Sequence, residues 1–197
     1  MPRPLPSTSP NLPRRTAIAA LLALALGAVA AGRGSAQEIA GQREYNVKAV
    51  SLYAFGRYVT WPDSAFEAPT SPFVIGVLGG NPFGDALHRV ASKKTMNGRP
   101  IVVRELVAAE EAAACHIVFV TRQVAHEVET KLFQQSSGKP VLLVGETPGF
   151  TDRGGIINFY HSGTTVRFEL NPDRGLASKL SLNAKLLSLG VKGQTNQ

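Results

Sequence analysis

The chain has a single cysteine, Cys115, so no disulfide forms within it and its stability must come from packing. It also lacks every short metal signature: there is no Cys-x-x-Cys and no His-x-x-x-His, and His88, His126 and His161 are scattered without ligand spacing. No basic run carries interleaved aromatics, which removes the usual footprint of nucleic-acid binding. Acidic residues are missing from the first 36 positions, where Arg3, Arg14, Arg15 and Arg33 account for four of the 21 basic residues. The formal charge of +7 is therefore mostly a property of the start; the remainder carries 17 basic against 14 acidic residues, an ordinary surface.

That start has its own reading. Pro13-Arg14-Arg15 precedes the uncharged, Ala- and Leu-rich run Thr16 to Gly32, followed by the small residues Gly34-Ser35-Ala36. The apolar core of about 15 residues is short of the roughly 20 needed to span a bilayer, and the pattern is that of a secretory signal peptide over 1–36, cleaved near Ala36. Thr16-Ala17-Ile18 lacks the continuation of a twin-arginine signal, which favours general export.

After Gln37 the length suits one domain, 37–197. Glu44 to Val59 reads as a helix ended by Trp61-Pro62. Its apolar residues fall on two sides, Val47, Val50, Ala54 and Tyr58 on one and Tyr45, Ala49, Leu52, Gly56 and Val59 on the other, with Lys48, Ser51 and Arg57 between. Such a helix is contacted on two sides, either within the core or with one face on another protein. Strands are expected over Phe73–Leu78, Pro100–Leu106, His116–Val120 and Pro140–Val144, and helices over Pro82–Ala91, Ala108–Ala113 and Gln123–Gln135. This alternation implies an α/β, three-layer Rossmann-like fold with a mostly parallel central sheet and helices on both faces. Asn171-Pro172-Asp173 opens a further helix, with Asn as cap and Pro at its first position. The leucines between Lys179 and Leu189 suggest one more helical piece.

The run Gly154 to Asn171 closes the sheet with an antiparallel hairpin. With Ser162-Gly163 as turn, Ile157 faces Phe168 and Phe159 faces Val166, while Asn158 faces Arg167 and Ile156 faces Glu169. Asn158, Arg167 and Glu169 then share a polar face, either solvated or a surface that recognises a partner. The loop Thr147–Gly155 lies at the carboxyl edge of the sheet, where open α/β folds bind ligands. There Phe150 and Arg153 either line a small pocket or serve as a packing staple and a surface charge. Gly79-Gly80-Asn81-Pro82-Phe83-Gly84 sits where a phosphate loop would, but the spacing is wrong and Pro82 removes an amide, so a plain strand-to-helix turn is expected. Cys115 and His116 are neighbours on a strand and point to opposite faces, so they form no dyad.

The hairpin sequence Gly154-Gly155-Ile156-Ile157-Asn158-Phe159, then Val166-Arg167-Phe168-Glu169-Leu170-Asn171 and Lys185-Leu186-Leu187, resembles the C-terminal signature of the YfiR family of exported bacterial proteins. The resemblance extends through Val47-Lys48-Ala49, Leu52-Tyr53, Trp61-Pro62, Ile75-Gly76-Val77-Leu78-Gly79, Cys115-His116-Ile117-Val118-Phe119 and Pro140-Val141-Leu142. It implies a periplasmic, non-catalytic regulator without cofactor or metal, which inhibits a membrane-bound diguanylate cyclase by binding its periplasmic domain and lowers cyclic di-GMP. A sensor kinase, an outer-membrane lipoprotein and a second copy of the chain are further partners of this kind. Some family members carry paired cysteines, one of them at the Cys-His-Ile position, and the lone Cys115 departs from that pattern. Tyr53, Tyr58, Phe150, Arg153, Asn158, Arg167 and Glu169 are the candidate partner-binding residues. The alternative from another class is a periplasmic solute-binding protein or enzyme on the same scaffold, disfavoured by the lack of a catalytic constellation.

Overall fold

The computed structural model describes residues 38–193; the expected signal peptide lies outside them. Of a first unit that ends at Gln42, residues 38–42 are described and are helical; all that follows concerns the second unit, Arg43–Gln197. Its first helix, α1 (43–58), leads through β1 (Val59–Thr60) and a 3-10 turn, Asp63–Ala65, into the strand β2 (Phe73–Leu78). Then come α2 (Ala86–Lys93), β3 (Thr95–Met96), β4 (Arg99–Leu106), a 3-10 turn at Ala109–Ala114, β5 (Ile117–Val120), α3 (His126–Ser136) and β6 (Leu142–Gly145). The short helix α4 (Phe150–Arg153) precedes the hairpin β7 (Ile157–Ser162) and β8 (Thr165–Leu170). The chain ends in α5 (Pro172–Ala177), β9 (Ser181–Leu182), α6 (Ala184–Leu189) and β10 (Val191–Lys192).

Continuous apolar strands belong in the middle of a parallel sheet, where both faces are covered. Accordingly β2, β5 and β6 are buried along their whole length. The sheet runs β10-β8-β7-β6-β5-β2-β4-β3, with β4, β2, β5, β6 and β7 mutually parallel and β8 antiparallel to β7. The expected mostly parallel sheet with a terminal hairpin is therefore present. Its parallel part follows the doubly wound 2-1-3-4-5 order, in which the connections leave in opposite directions from β2 and place a crevice at the carboxyl edge.

Side chains alternate between two cores. One face packs Phe73, Ile75, Val77, Phe119, Leu142, Val144 and Phe159 under α1 and α2, with Leu186 of α6. The other packs Val74, Leu78, Val118, Val120 and Leu143 against the Ala109–Ala114 turn, Leu132 of α3 and Phe150 of α4. The expected helix over Lys179–Leu189 begins instead with β9, which pairs antiparallel with β1 and pins the end of α1. Helix α2 also starts later than expected, because Asn81 accepts the Phe83 amide at 3.0 Å and holds the chain in a turn first. Asn171 caps α5 as read, accepting the Arg174 amide at 3.1 Å.

The hairpin register differs from expectation by two residues. Ile157 faces Leu170 and Phe159 faces Phe168, and Asn158 faces Glu169, while Arg167 faces Tyr160. Ser162 and Thr165 are the closing pair, so the turn is Gly163-Thr164 rather than Ser162-Gly163. Gly163 takes φ of 62° at the first turn position, where primed hairpin turns favour glycine. A slip of two leaves every side chain on its expected face, so polarity alone could not choose between the registers. The observed one brings Leu170 into the core.

Candidate functional site: the carboxyl edge of the sheet and the open face of the first helix

Two places on the molecule could carry function, and both grow from α1. Its inner arc, Ala49, Leu52 and Phe55, lies on the sheet and is fully covered. Lys48 shares that arc, and its side chain is 2% exposed. A buried ammonium must find partners. It pairs with Glu44 one turn earlier and with Glu146 at 2.5 Å, a residue directly after β6 whose side chain is 1% exposed.

Glu146 also accepts the Arg122 backbone amide at 3.0 Å, the Arg122 guanidinium at 3.2 Å and the Tyr45 hydroxyl at 3.1 Å. Arg122 follows β5 and reaches Glu44 at 3.0 Å, and His161 of β7 meets Glu44 at 3.2 Å. The carboxyl ends of β5 and β6 are thus tied to α1 by one network. Burial pushes the Glu146 carboxyl up, but hydrogen bonds from Arg122 and Lys48 outweigh it and hold the group below its ordinary 4.5. For Glu44 burial is likewise outweighed, by Lys48 and then His161. Burial and then the Glu146 charge raise the Tyr45 hydroxyl to about 12, so it stays a donor.

Beside this network lies a cavity of about 580 Å³ between the Thr147-Pro148-Gly149 loop and the polar face of the hairpin, lined also by Arg122, Asn158, His161 and Glu169. Asn158 donates to Glu169 Oε1 at 3.1 Å, and Thr151 donates to the same oxygen at 3.2 Å. A second groove, of about 400 Å³, runs between α1 and α2 and is lined by Val50, Tyr53, Ala86, Val90 and Lys93. On this outer side of α1 Val47 and Val50 are half exposed or more.

The candidate residues therefore separate. Tyr53 and Tyr58 stand on the outer side of α1, where Lys185 Nζ lies 5.5 Å from the Tyr58 ring centre. Asn158 and Glu169 pair inside the cavity, and Arg167 is exposed on the hairpin. Phe150 is fully buried, its ring edge-on to Phe133 at 5.3 Å, so of its two readings the staple holds and its side chain offers no surface to a partner. Arg153 stays exposed, yet it is tied to the buried Glu129 at 2.6 Å and donates to the Pro148 carbonyl at 2.7 Å, so it braces the loop. Glu44, Lys48, Arg122 and Glu146 were not among the candidates.

Residues 45–191 match the YfiR/HmsC-like family model. The chain belongs to the YfiR/HmsC-like family. No curated protein matches it. The part shared with the YfiR/HmsC-like family starts in α1 and ends in β10, and so includes the cavity, the hairpin and every member of the network but Glu44. It also includes Cys115, which is buried and unbridged, its thiol raised by burial to about 11. Cys115 packs with one core and its neighbour His116 stacks between Phe66 and Phe73 on the opposite side, so they form no dyad. His116 Nδ1 accepts the Val74 amide at 3.0 Å, which leaves Nε2 to donate to the Ala65 carbonyl at 3.1 Å. Among the described residues no helix is long and apolar enough to cross a membrane, and no group of three or more His, Cys, Asp and Glu could hold a metal ion.

These groups set an acid limit. Burial lowers the His116 pKa from its ordinary 6.5, so on acidification the unfolded chain takes up that proton before the folded one. Its contribution is complete above 6.5 and falls away below it. Glu44 and Glu146 follow the same sign lower down: their contribution is complete above about 4.5 and is lost as the pH falls through their depressed folded values. Urea midpoints measured from about pH 7 to pH 3 should fall in two stages. An upper stage that survived His116→Gln would refute the assignment to His116.

Proposed function

We propose that this protein is a non-catalytic periplasmic regulator that inhibits a membrane-bound diguanylate cyclase by binding its periplasmic domain, lowering cyclic di-GMP. The observation that carries the proposal is the second apolar side of α1: the inner side is spent on the core, and the outer side leaves Val47 and Val50 in solvent beside Tyr53 and Tyr58. Exposed apolar surface next to aromatic anchors is the composition of a protein interface. Membership of the YfiR/HmsC-like family supports the same reading. The cyclase would dock along α1, with Arg167 on the opposite face of the hairpin as a separate contact.

Such interfaces rest on a few desolvated anchors, each worth about 2 kcal/mol or more on truncation. Tyr53→Ala, Tyr58→Ala and Arg167→Ala should each weaken binding to the periplasmic domain of the cyclase and raise intracellular cyclic di-GMP. Circular dichroism accompanies Tyr58→Ala, because the Tyr58 side chain is half-buried and packs against the core. If all three folded variants bound the cyclase and suppressed cyclic di-GMP as the parent does, this surface would be the wrong one. A second reading, a solute-binding protein, is favoured by the cavity beside the hairpin; a parent protein that bound no cyclase would put it first.

A further inference from the structure

The groove between α1 and α2 collects charge of one sign. It continues along α1 into a second hollow that shares Val50 and Tyr53 and adds Ala54, Arg57 and Tyr58. The floor is apolar, made by Val50, Tyr53, Ala54, Ala86 and Val90, and the walls carry Arg57, Arg89, Lys93 and Lys94, all four exposed. No acidic residue lines either hollow. Elsewhere Lys48, Arg122, Lys131 and Arg153 each meet a carboxylate, whereas these four cations form no ion pair and donate no side-chain hydrogen bond among the described residues. Four like charges facing one apolar trough call for an acidic complement.

The shape narrows the choice. Phe83, just before α2, packs its ring edge-on to Tyr45, and Met96, just after α2, packs on Gly56, so α2 lies alongside α1 in the same direction. From Asn46 to Tyr58 the trough follows α1 for roughly 18 Å, the length of about twelve helical residues. A concave trough of this length receives a rod, and a flat bilayer surface does not enter it. Both walls are helices, whose backbone groups are already bonded, so they offer nothing to an extended strand; a helix brings its own backbone hydrogen bonds.

We infer that this trough receives an acidic amphipathic helix of the protein partner. The apolar stripe of that helix lies on Val50, Tyr53 and Val90, and carboxylates along its two flanks meet Arg57 on one wall and Arg89, Lys93 and Lys94 on the other. The inference rests on the reading of the outer side of α1 as the docking surface and adds what the partner presents there.

The whole chain from Gln37 is titrated with three synthetic peptides of about 14 residues, each with leucines at helical spacing: one with glutamates on both flanks, one with lysines in their place, and the glutamate peptide with a central proline. The glutamate peptide should shift the backbone amide resonances of Val50, Tyr53 and Val90, and the other two should bind at least about tenfold more weakly. In Arg89→Glu/Lys93→Glu the preference should reverse, and its binding of the lysine peptide also shows that the variant is folded. The inference is overturned if the glutamate peptide leaves those resonances fixed, if the lysine or proline peptide binds as tightly, or if the charge-reversed variant keeps the parent's preference. A trough filled instead by phosphatidylglycerol vesicles, or by a second copy of the chain at rising concentration, overturns it equally. Its failure differs from that of the cyclase reading: an unbound glutamate peptide, with Tyr53→Ala still weakening the cyclase, removes the helix and keeps the surface. A bound glutamate peptide with no cyclase bound removes the cyclase and keeps the helix.

Discussion

Replacing Glu146 by alanine should cost about 3–5 kcal/mol, because it removes one partner of a buried ion pair and leaves the other behind. Lys48 would keep Glu44 alone, and the Arg122 amide and Tyr45 hydroxyl would lose their acceptor. The double variant Lys48→Met/Glu146→Leu should recover part of the loss, since apolar groups replace the buried pair itself at little cost while the Arg122 amide and Tyr45 hydroxyl still lack their acceptor. Urea unfolding followed by circular dichroism measures both. The exposed Lys131–Glu110 pair is the control, and Glu110→Ala should leave the midpoint where it was. A Glu146→Ala midpoint close to that of the parent would show that the network contributes little to holding α1 on the sheet.

The second large effect is expected at Phe150. Its ring fills the space left by two residues without side chains: a Cβ on Gly145 would lie 2.4 Å from the ring, and one on Gly155 2.1 Å from it and 2.9 Å from the Phe150 carbonyl oxygen. Phe150→Ala should cost about 3–5 kcal/mol through the cavity it leaves. The melting temperature would fall by on the order of 10 °C. Gly155→Ala should also destabilise, by overpacking, since the ring is wedged and the backbone oxygen cannot yield. Adding Phe150→Leu to Gly155→Ala should restore part of that loss. Equal melting temperatures for Phe150→Ala and the parent would refute the wedge.

Much of the architecture was legible in sequence because buried parallel strands are continuous apolar runs, and Phe73–Leu78, His116–Val120 and Pro140–Val144 are such runs. The two-sided helix was legible from its periodicity. Other features were not. Lys48 and Glu146 stand 98 positions apart, and no local pattern joins them. The available signal was a lysine on the same arc as Ala49 and Leu52, which must meet an acid once that arc is buried. The hairpin was placed on the right faces in the wrong register, since a shift of two changes partners without changing polarity. Phe150 and Arg153 were read as lining a small pocket or as a staple and a surface charge; only the short helix α4, which buries Phe150 and leaves Arg153 exposed, distinguishes them.

The pairing of β1 with β9 also governs the order in which the chain can fold. Val59 at the end of α1 meets Leu182, and Thr60 meets Ser181, more than a hundred positions later. The first helix of the unit is therefore clasped by a segment far along the chain, and loop closure over that distance must precede its reward. Until Ser181–Leu182 pairs with it, β1 is without a partner strand, and the end of α1 is held by its packing on the large sheet alone.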